Sequence, residues 1–233
     1  MNLKALVKKL LVIRAKGFIK THRAHDTGIG KTMEDLLGIR ENNLRLPDAG
    51  EIELKAKRID SGSMLTVATK SPLPKGVNKI LFEKYKYQDK EGKYSLHSTV
   101  CSSRKNRQGL RVAFTGEKLI LKNPYNVKAY WPISIFDEVL KSKSNKILLI
   151  FAETRGERKT RAERFHYTEA YLLFGLNIKK FKNAIEKDSL KVDIRIGVYR
   201  SGKLKGRYHD HGTGFRIGKK DFLKIFDGYK KLM

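Results

Sequence analysis

The sequence predicts an α/β fold of the α+β kind, in which a mixed central β-sheet is flanked by helices. Apolar residues at helical spacing, as at 3–15, are followed along the chain by strand patterns, alternating at 52–57 and continuously apolar at 146–152. A short continuous apolar run is typical of a strand that is buried on both faces. The 233 residues are enough for one sizeable core, so we expect a single globular unit.

The composition indicates a folded protein that binds a polyanion. Lys and Arg number 51 against 24 acidic residues, a formal charge of +27, while 40% of the residues are hydrophobic. Such a positive field attracts nucleic acid or an anionic membrane, and each neutralised phosphate releases counterions. No apolar run approaches the ~20 residues of a membrane span, so we expect nucleic acid and no membrane. The single cysteine, Cys101, excludes an intrachain disulfide framework and predicts a reducing, cytoplasmic location.

Two amphipathic helices are predicted near the N-terminus. The first covers residues 3–15, and the second begins near Gly28 and ends at Gly38. In the second helix Met33 belongs to the apolar stripe and Glu34 lies beside it. This helix can therefore aim a carboxylate at the sheet.

Residues 28–32 end in Gly-Lys-Thr, as a phosphate-binding loop does. That motif also needs a glycine at position 25, which is occupied by His25, and no strand is predicted before it. We therefore do not expect ATP or GTP to bind here.

The segment 46–57 carries the most informative pattern. Ile52 and Leu54 alternate with charged residues, so in a β-strand Glu53 and Lys55 stand side by side, and Asp48 lies at the strand's entrance. Two carboxylates and an ammonium suit Mg²⁺ and the hydrolysis of a phosphodiester. The alternative is an ordinary strand with one face in water, because Glu-x-Lys pairs arise by chance in a chain that is 32% charged.

Further elements follow from the same patterns. We predict that residues 64–69 return beside the 52–57 strand as a hairpin, after a turn at 61–63. The remaining predicted helices are 77–85, 133–140, 177–187 and a final capping helix at 219–232, and the remaining predicted strands are 94–101, 111–114, 119–121 and 191–199.

A basic segment follows the apolar 146–152 strand directly. Arg155, Arg158, Lys159 and Arg161 lie within seven positions. A buried strand that opens into a basic loop suits contact with DNA phosphates at the end of a sheet. Another basic loop, at 102–111, is open either to this interpretation or to that of a solvated loop.

Residues 207–216 concentrate hydrogen-bonding side chains and turn glycines. Arg pairs with guanine, Asp accepts from cytosine, and His can donate or accept, so the segment suits recognition of base edges. A zinc pair is the weaker interpretation, because no further ligands cluster nearby. The structural alternative is a polar turn that supports the last helix. The candidate base-contacting residues are Arg207, His209, Asp210, His211 and Arg216.

Two stretches together, residues 28–38 and residues 46–55, resemble the MvaI and BcnI type of restriction endonuclease. These enzymes are relatives of the mismatch-repair nickase MutH within the PD-(D/E)xK nuclease superfamily. The resemblance implies a restriction-endonuclease-like core with a DNA-binding cleft. It also implies a monomeric, Mg²⁺-dependent enzyme that cuts double-stranded DNA at CC-(one base pair)-GG sites, one strand at a time.

The resemblance also implies roles for individual residues. Asp48, Glu53 and Lys55 take the nuclease triad, with Asp48 and Glu53 as metal ligands and Lys55 orienting or activating water. Glu34 takes the helix-borne acidic position, and Lys70 falls where a residue near the central base pair is expected.

We expect residues 1–233 to form a single nuclease unit, and a division of that unit into two lobes is open. A catalytic lobe would then cover about 1–150, with the active site carried by residues 17–70, and a DNA-recognition portion would cover about 151–233. The resemblance also implies a cognate DNA methyltransferase as a functional companion but not a binding partner.

Two other functions remain open from the residues. A MutH-like nickase would need a stimulating repair partner, and a non-catalytic nucleic-acid-binding protein would use its acidic residues structurally. The concentration of Asp48, Glu53 and Lys55 on one short segment favours an enzyme, because a pure binding protein does not need it.

Overall fold

The structure is a computed structural model and describes residues 3–39, 52–141, 145–200 and 202–233. Its helices are α1 Leu3–Ala15, α2 Gly28–Leu37, α3 Val77–Tyr85, α4 Ser134–Val139, α5 Ile178–Glu186 and α6 Phe222–Ile225. Its strands are β1 Ile19–Lys20, β2 Glu53–Arg58, β3 Leu65–Thr69, β4 Tyr87–Gln88, β5 Tyr94–Val100, β6 Arg111–Thr115, β7 Lys118–Lys122, β8 Tyr130–Pro132, β9 Lys146–Arg155, β10 Arg164–Phe174, β11 Leu190–Val198, β12 Tyr208–Asp210, β13 Gly214–Ile217 and β14 Gly228–Lys231. Among the described helices, none has the length and apolarity that crossing a membrane requires.

The chain divides into two compact units, each built from separate segments. The first unit contains Met1–Ser63, Leu140–Asn177 and Phe226–Met233, and the second contains Met64–Val139 and Ile178–Ile225. Each unit therefore takes residues from both sides of position 150, the lobe boundary expected from the sequence. The cause is strand pairing at long range, since β2 pairs with β9 and β3 pairs with β13.

The first unit is organised by a mixed sheet in the order β1-β10-β9-β2, with β14 added to β10. The β2 and β9 strands run parallel, and the other pairs in this sheet are antiparallel. Residues 147–152 of β9 are all buried, which confirms the prediction of a strand covered on both faces. Helices α1 and α2 pack Leu10 and Met33 into one apolar cluster with Leu54 of β2 and Leu148 of β9.

The predicted hairpin of residues 52–57 with 64–69 is wrong. The β3 strand pairs with β13 in the second unit's sheet, and β2 pairs in parallel with β9. This pairing continues the buried face of β9, because Leu54 and Ala56 of β2 share one apolar cluster with Leu148 and Ile150 of β9.

The second unit contains two sheets. The larger has the order β3-β13-β11-β5-β4, with β12 also paired to β11, and the smaller has the order β6-β7-β8. An aromatic cluster forms its core, with the rings of Phe136 and Phe215 4.6 Å apart and those of Phe181 and Phe215 5.5 Å apart. Because Phe181 belongs to α5, this helix covers one face of the larger sheet and leaves the other face to polar side chains.

The predicted capping helix at 219–232 is also wrong. Only α6 and a short 3₁₀ turn at Lys219–Asp221 are helical, and β14 then pairs with the edge of β10. The Asp227 amide donates to the Phe174 carbonyl at 2.9 Å, which turns the chain toward β10. Tyr229 of β14 is 51% exposed as a result.

Candidate active site and nucleic-acid interface

The β2 strand places Glu53 and Lys55 on the face opposite Leu54 and Ala56, as the alternating pattern predicts. The Lys55 ammonium donates to Glu53 Oε1 at 2.6 Å. The Lys55 side chain is 33% exposed and that of Glu53 is 10% exposed. The pair therefore combines a nearly buried carboxylate with an ammonium that solvent can reach.

The second carboxylate oxygen of Glu53 is suited to a cation. Glu53 Oε2 is buried and has no hydrogen-bond partner in the part of the chain that the structure describes. A buried, unpaired carboxylate oxygen is costly unless it gains a hydrogen bond or a metal ion. Within the described ranges, no three His, Cys, Asp or Glu residues form a metal-binding group. Asp48, the other predicted metal ligand, lies outside the described residues.

The α2 helix packs against β2 and carries the predicted helix-borne acid. Glu34 follows the buried Met33 and is half-buried itself. Thr32 in the Gly-Lys-Thr segment is fully buried, donates to the Gly28 carbonyl at 2.8 Å and accepts from the His22 amide at 2.9 Å. The hydroxyl that would serve a nucleotide in a phosphate-binding loop is thus used to hold the helix in place.

A buried ion pair anchors the far end of β2. Arg58 donates to Glu163 through Nε and Nη2, both at 2.7 Å, and Glu163 is only 1% exposed. Burial raises the pKa of Glu163, but hydrogen bonds from Arg58 and the Lys159 amide outweigh it and leave the pKa below its ordinary value. The pair therefore ties the strand that carries Glu53 to the loop that follows β9.

The four basic residues of the 155–161 segment all have partners within the first unit. The Arg155 guanidinium lies 4.0 Å from the centre of the Phe18 ring, and Arg158 pairs with Asp60. Lys159 pairs with Asp26 at 3.0 Å, and Arg161 donates to the His22 carbonyl at 2.7 Å. These contacts fix the loop's shape, and the role of its cations toward phosphate stays a prediction.

The larger sheet of the second unit has one polar face. On β11, Asp193 stands opposite Thr99 and Arg195 stands opposite His97. On the neighbouring strands Arg216 stands opposite Lys191, and His209 stands opposite Gly197. Because successive residues alternate between faces, these side chains share the side of the sheet away from Phe215. We call this the polar face, and it consists of His97, Thr99, Asp193, Arg195, His209, His211 and Arg216.

Charge pairing holds the polar face together. Asp193 accepts from Arg216 Nη1 at 2.6 Å and from the Thr99 hydroxyl at 2.9 Å. Arg216 Nη2 also donates to the Met64 carbonyl at 3.2 Å, and the buried Nε has no hydrogen-bond partner among the described residues. Arg195 lies within 3.5 Å of the His211 and Gly212 carbonyls.

Two histidines of the polar face, His209 and His211, form a row with Tyr199. The rings of Tyr199 and His209 stack at 4.1 Å, and those of His209 and His211 are 4.0 Å apart. Burial lowers the pKa of His211, and the neighbouring His209, Arg195 and His97 lower it further. The His211 imidazole is therefore neutral at neutral pH, with one donor and one acceptor nitrogen.

Asp210 faces the other side of the sheet from His209 and His211. It stands opposite Ile196, and its Oδ2 accepts from Asn78 Nδ2 of α3 at 2.7 Å. Its Oδ1 accepts from the Gly212 amide, also at 2.7 Å. Gly212 has a φ of +74°, and a Cβ there would lie 2.7 Å from Thr69 Cγ2, so the turn requires glycine. The structure thus gives Asp210 internal partners that shape the turn.

Lys70 and Arg207 lie at opposite ends of this region. The Lys70 amide donates to the Thr213 carbonyl at 2.9 Å, and its own carbonyl accepts from Trp131 Nε1 at 2.8 Å, so Lys70 flanks the His211–Thr213 turn. Arg207 is exposed beyond the start of β12. The DNA-binding roles of both residues stay predictions.

Sequence reasoning missed the β11 and β5 contributions to the polar face. Asp193 and Arg195 alternate with Val192, Ile194 and Ile196 in a segment that was correctly predicted as a strand. That alternation was a sufficient signal for a charged face. His97 and Thr99 could be assigned only through their pairing with β11.

The chain is similar to one known enzyme family and to solved structures of a member of that family. The model of the MvaI/BcnI restriction endonuclease family matches residues 7–226. The solved restriction endonuclease MvaI-cognate DNA substrate complex is similar at 34% identity, with a TM-score of 0.88 and 100% of each chain covered. The restriction endonuclease MvaI in the absence of DNA is similar at 34% identity, with a TM-score of 0.55 and 100% of this chain and 99% of that chain covered. No curated protein matches the chain.

These matches define a type II site-specific DNA endonuclease with a mixed α+β fold. The chain belongs to the MvaI/BcnI restriction endonuclease family. This confirms the resemblance that residues 28–38 and 46–55 indicated, and with it the expectation of DNA binding.

Proposed function

We propose that the protein hydrolyses DNA phosphodiesters with Mg²⁺ at the Glu53–Lys55 pair. The observation that carries this proposal is Glu53 Oε2, a buried carboxylate oxygen with no partner among the described residues, beside an ammonium that solvent can reach. Oxygen ligands of this kind are those that Mg²⁺ prefers. Glu53 and Asp48 would hold the ion, and Glu34 would support the site from α2.

The protein's own side chains supply positioning and charge. Lys55, held 2.6 Å from Glu53 Oε1, can hold the attacking water or an oxygen of the scissile phosphate. The Arg58–Glu163 pair keeps β2 in place while it does so. When bound, magnesium would neutralise phosphate charge and lower the pKa of its water, which is the chemistry that these residues cannot supply alone.

We propose further that the polar face recognises base edges in the major groove. His209 and His211, whose rings are 4.0 Å apart, offer donors and acceptors, and the Arg216 side chain, which is 22% exposed, lies on the same face. Arg195 and Asp193 extend the set. Arginines suit guanine, which agrees with a CC-(one base pair)-GG site, and Lys70 beside the turn would lie near the central pair.

We also propose that one chain acts alone and cuts one strand per binding event. Each chain carries a single Glu53–Lys55 pair, so each catalytic event breaks one bond. Cutting the second strand then requires the enzyme to bind again in the opposite orientation. This behaviour separates a monomer from a dimer that cuts both strands together.

A plasmid assay tests the proposed function. With Mg²⁺, supercoiled plasmid should become nicked before it becomes linear, and a chelator should stop both steps. Lys55→Met should abolish cleavage and keep DNA binding, whereas Lys20→Met, on the opposite edge strand β1, should cleave normally. Binding without cleavage in Mg²⁺ would instead support a non-catalytic binding protein. Nicking that depends on a partner and never gives linear plasmid would support a MutH-like nickase.

A further inference from the structure

The hairpin formed by β11 and β12 continues beyond the polar face into a basic tip. We define the hairpin tip as residues 199–200 and 202–207, which carry Arg200, Lys203, Lys205 and Arg207 and no acidic residue. The tip is closed by the Tyr199 amide donating to the Arg207 carbonyl at 2.9 Å and the Gly206 amide donating to the Tyr199 carbonyl at 2.8 Å. Lys203, Lys205 and Arg207 are all exposed.

Two contacts hold the hairpin tip in place. Arg200 pairs with Asp89 at 3.0 Å and with Glu91 at 3.1 Å, both in the turn between β4 and β5. At the base of the tip, the Tyr199 ring stacks on His209 at an interplanar angle of 13°. Arg200 therefore anchors the tip, and the stack of Tyr199 on His209 joins the tip to the polar face.

The length of the hairpin determines where its tip can reach. The His211 amide donates to the Arg195 carbonyl at 3.0 Å, which marks the centre of the polar face on β11. Tyr199 follows four residues later, which is about 13 Å along an extended strand at ~3.3 Å per residue. The major groove is only about 12 Å wide. With β11 lying across the groove, a polar face that contacts base edges carries the tip past the edge of the groove, where the phosphates lie.

We propose that the hairpin tip binds backbone phosphates that flank the recognised base pairs, with Lys203 and Lys205 as its phosphate contacts. This proposal rests on the proposed recognition role of the polar face. It assigns the tip to affinity and register, because phosphate contacts position a protein on DNA without distinguishing bases.

The test is the salt dependence of binding by the double variant Lys203→Gln/Lys205→Gln. Two lost phosphate contacts should reduce the slope of log Kd against log salt by about 1.8, at about 0.9 per contact. The reduction should be equal on cognate and random duplexes, and the ratio of the two affinities should not change. A matched control is Lys179→Gln/Lys187→Gln, because these exposed lysines belong to α5 and its end, on the covered side of the sheet. The control should keep the wild-type slope.

Shortening the duplex locates the contact. Removing base pairs on the flank that the tip contacts should weaken binding by the wild type and leave the double variant unaffected. Arg200→Gln removes the ion pairs with Asp89 and Glu91 but keeps both lysines. The tip should then be more mobile, and protection of that flank in a footprint should be weaker.

Three outcomes would overturn the proposal. These are a double variant with the slope of its control, equal sensitivity of wild type and variant to flank removal, and a loss of cognate preference in the double variant. Failure of the proposed recognition role is distinguishable, since variants of His209 and His211 would then keep the wild-type cognate preference.

Discussion

Replacing Asp210 by Ala distinguishes a base contact from an internal support. The substitution removes two 2.7 Å hydrogen bonds to a carboxylate, from Asn78 Nδ2 and from the Gly212 amide. Asn78 is only 4% exposed, so its amide is left unpaired in a buried place. Each such loss costs about 1 to 3 kcal/mol, and because Asp210 is half-buried we expect about 2 to 4 kcal/mol in total.

Thermal unfolding measures this effect. For a chain of this size the loss corresponds to a fall in Tm of roughly 5 to 15 °C. Ser71→Ala is the matched control, since its 3.3 Å contact with Asp210 is weak, and it should cost less than about 1 kcal/mol. Asp210→Asn should fall between them, because the new amide can still accept from Gly212.

Sequence preference should survive the Asp210→Ala change. The His211–Thr213 turn is also held by Arg195 and by the Lys70 amide, so the histidines keep their positions while the protein is folded. The measurement is the ratio of cognate to non-cognate cleavage below the variant's Tm. An unchanged Tm together with a lost preference would refute this reasoning and make Asp210 a base contact.

Three more predictions concern catalysis and pH. Glu53→Gln should reduce cleavage by about 10³-fold or more and raise the Mg²⁺ concentration needed, measured as nicking rate against Mg²⁺, whereas unchanged kinetics would exclude Glu53 as a ligand. Glu163 has a lowered pKa in the folded protein, so its stabilising effect is present above its ordinary pKa of about 4.3 and is lost as pH falls further. Urea unfolding of Glu163→Gln should show a weaker loss of stability between about pH 5 and 3 than the wild type. His211 also has a lowered pKa, so base preference should stay constant from pH 8 to 7 and change only below about 6.5, and His211→Asn should remove that change from the cleavage ratio.

The local sequence pattern predicted much of the candidate active site and most strands of the second unit. Alternation at residues 52–57 was enough to place Glu53 and Lys55 on one face, because side chains on a strand alternate whatever the strand pairs with. Helical spacing of apolar residues predicted α1 and α2, and a continuous apolar run predicted the buried β9. Family resemblance added the nuclease class, which the charge of the chain supports but cannot define.

Pairing partners were decided only by the tertiary structure. Residues 164–174, an 11-residue strand with mixed burial, were not predicted, although they form the centre of the first unit's sheet as β10. Residues 219–232 had helical spacing, yet the exposed edge of β10 captured 228–231 as β14, because unpaired strand edges offer hydrogen bonds to any nearby chain.

For residues 207–216 too, the sequence and the tertiary structure determined different features. Its composition indicated a cluster of donors and acceptors, and that cluster exists as β12, a glycine turn and β13. What composition could not indicate was orientation, since a strand sends His209 and Asp210 to opposite faces. Only the register of β12 on β11 shows that His209 and His211 join Arg195 on the polar face while Asp210 turns inward to Asn78, because register decides which neighbours a side chain meets.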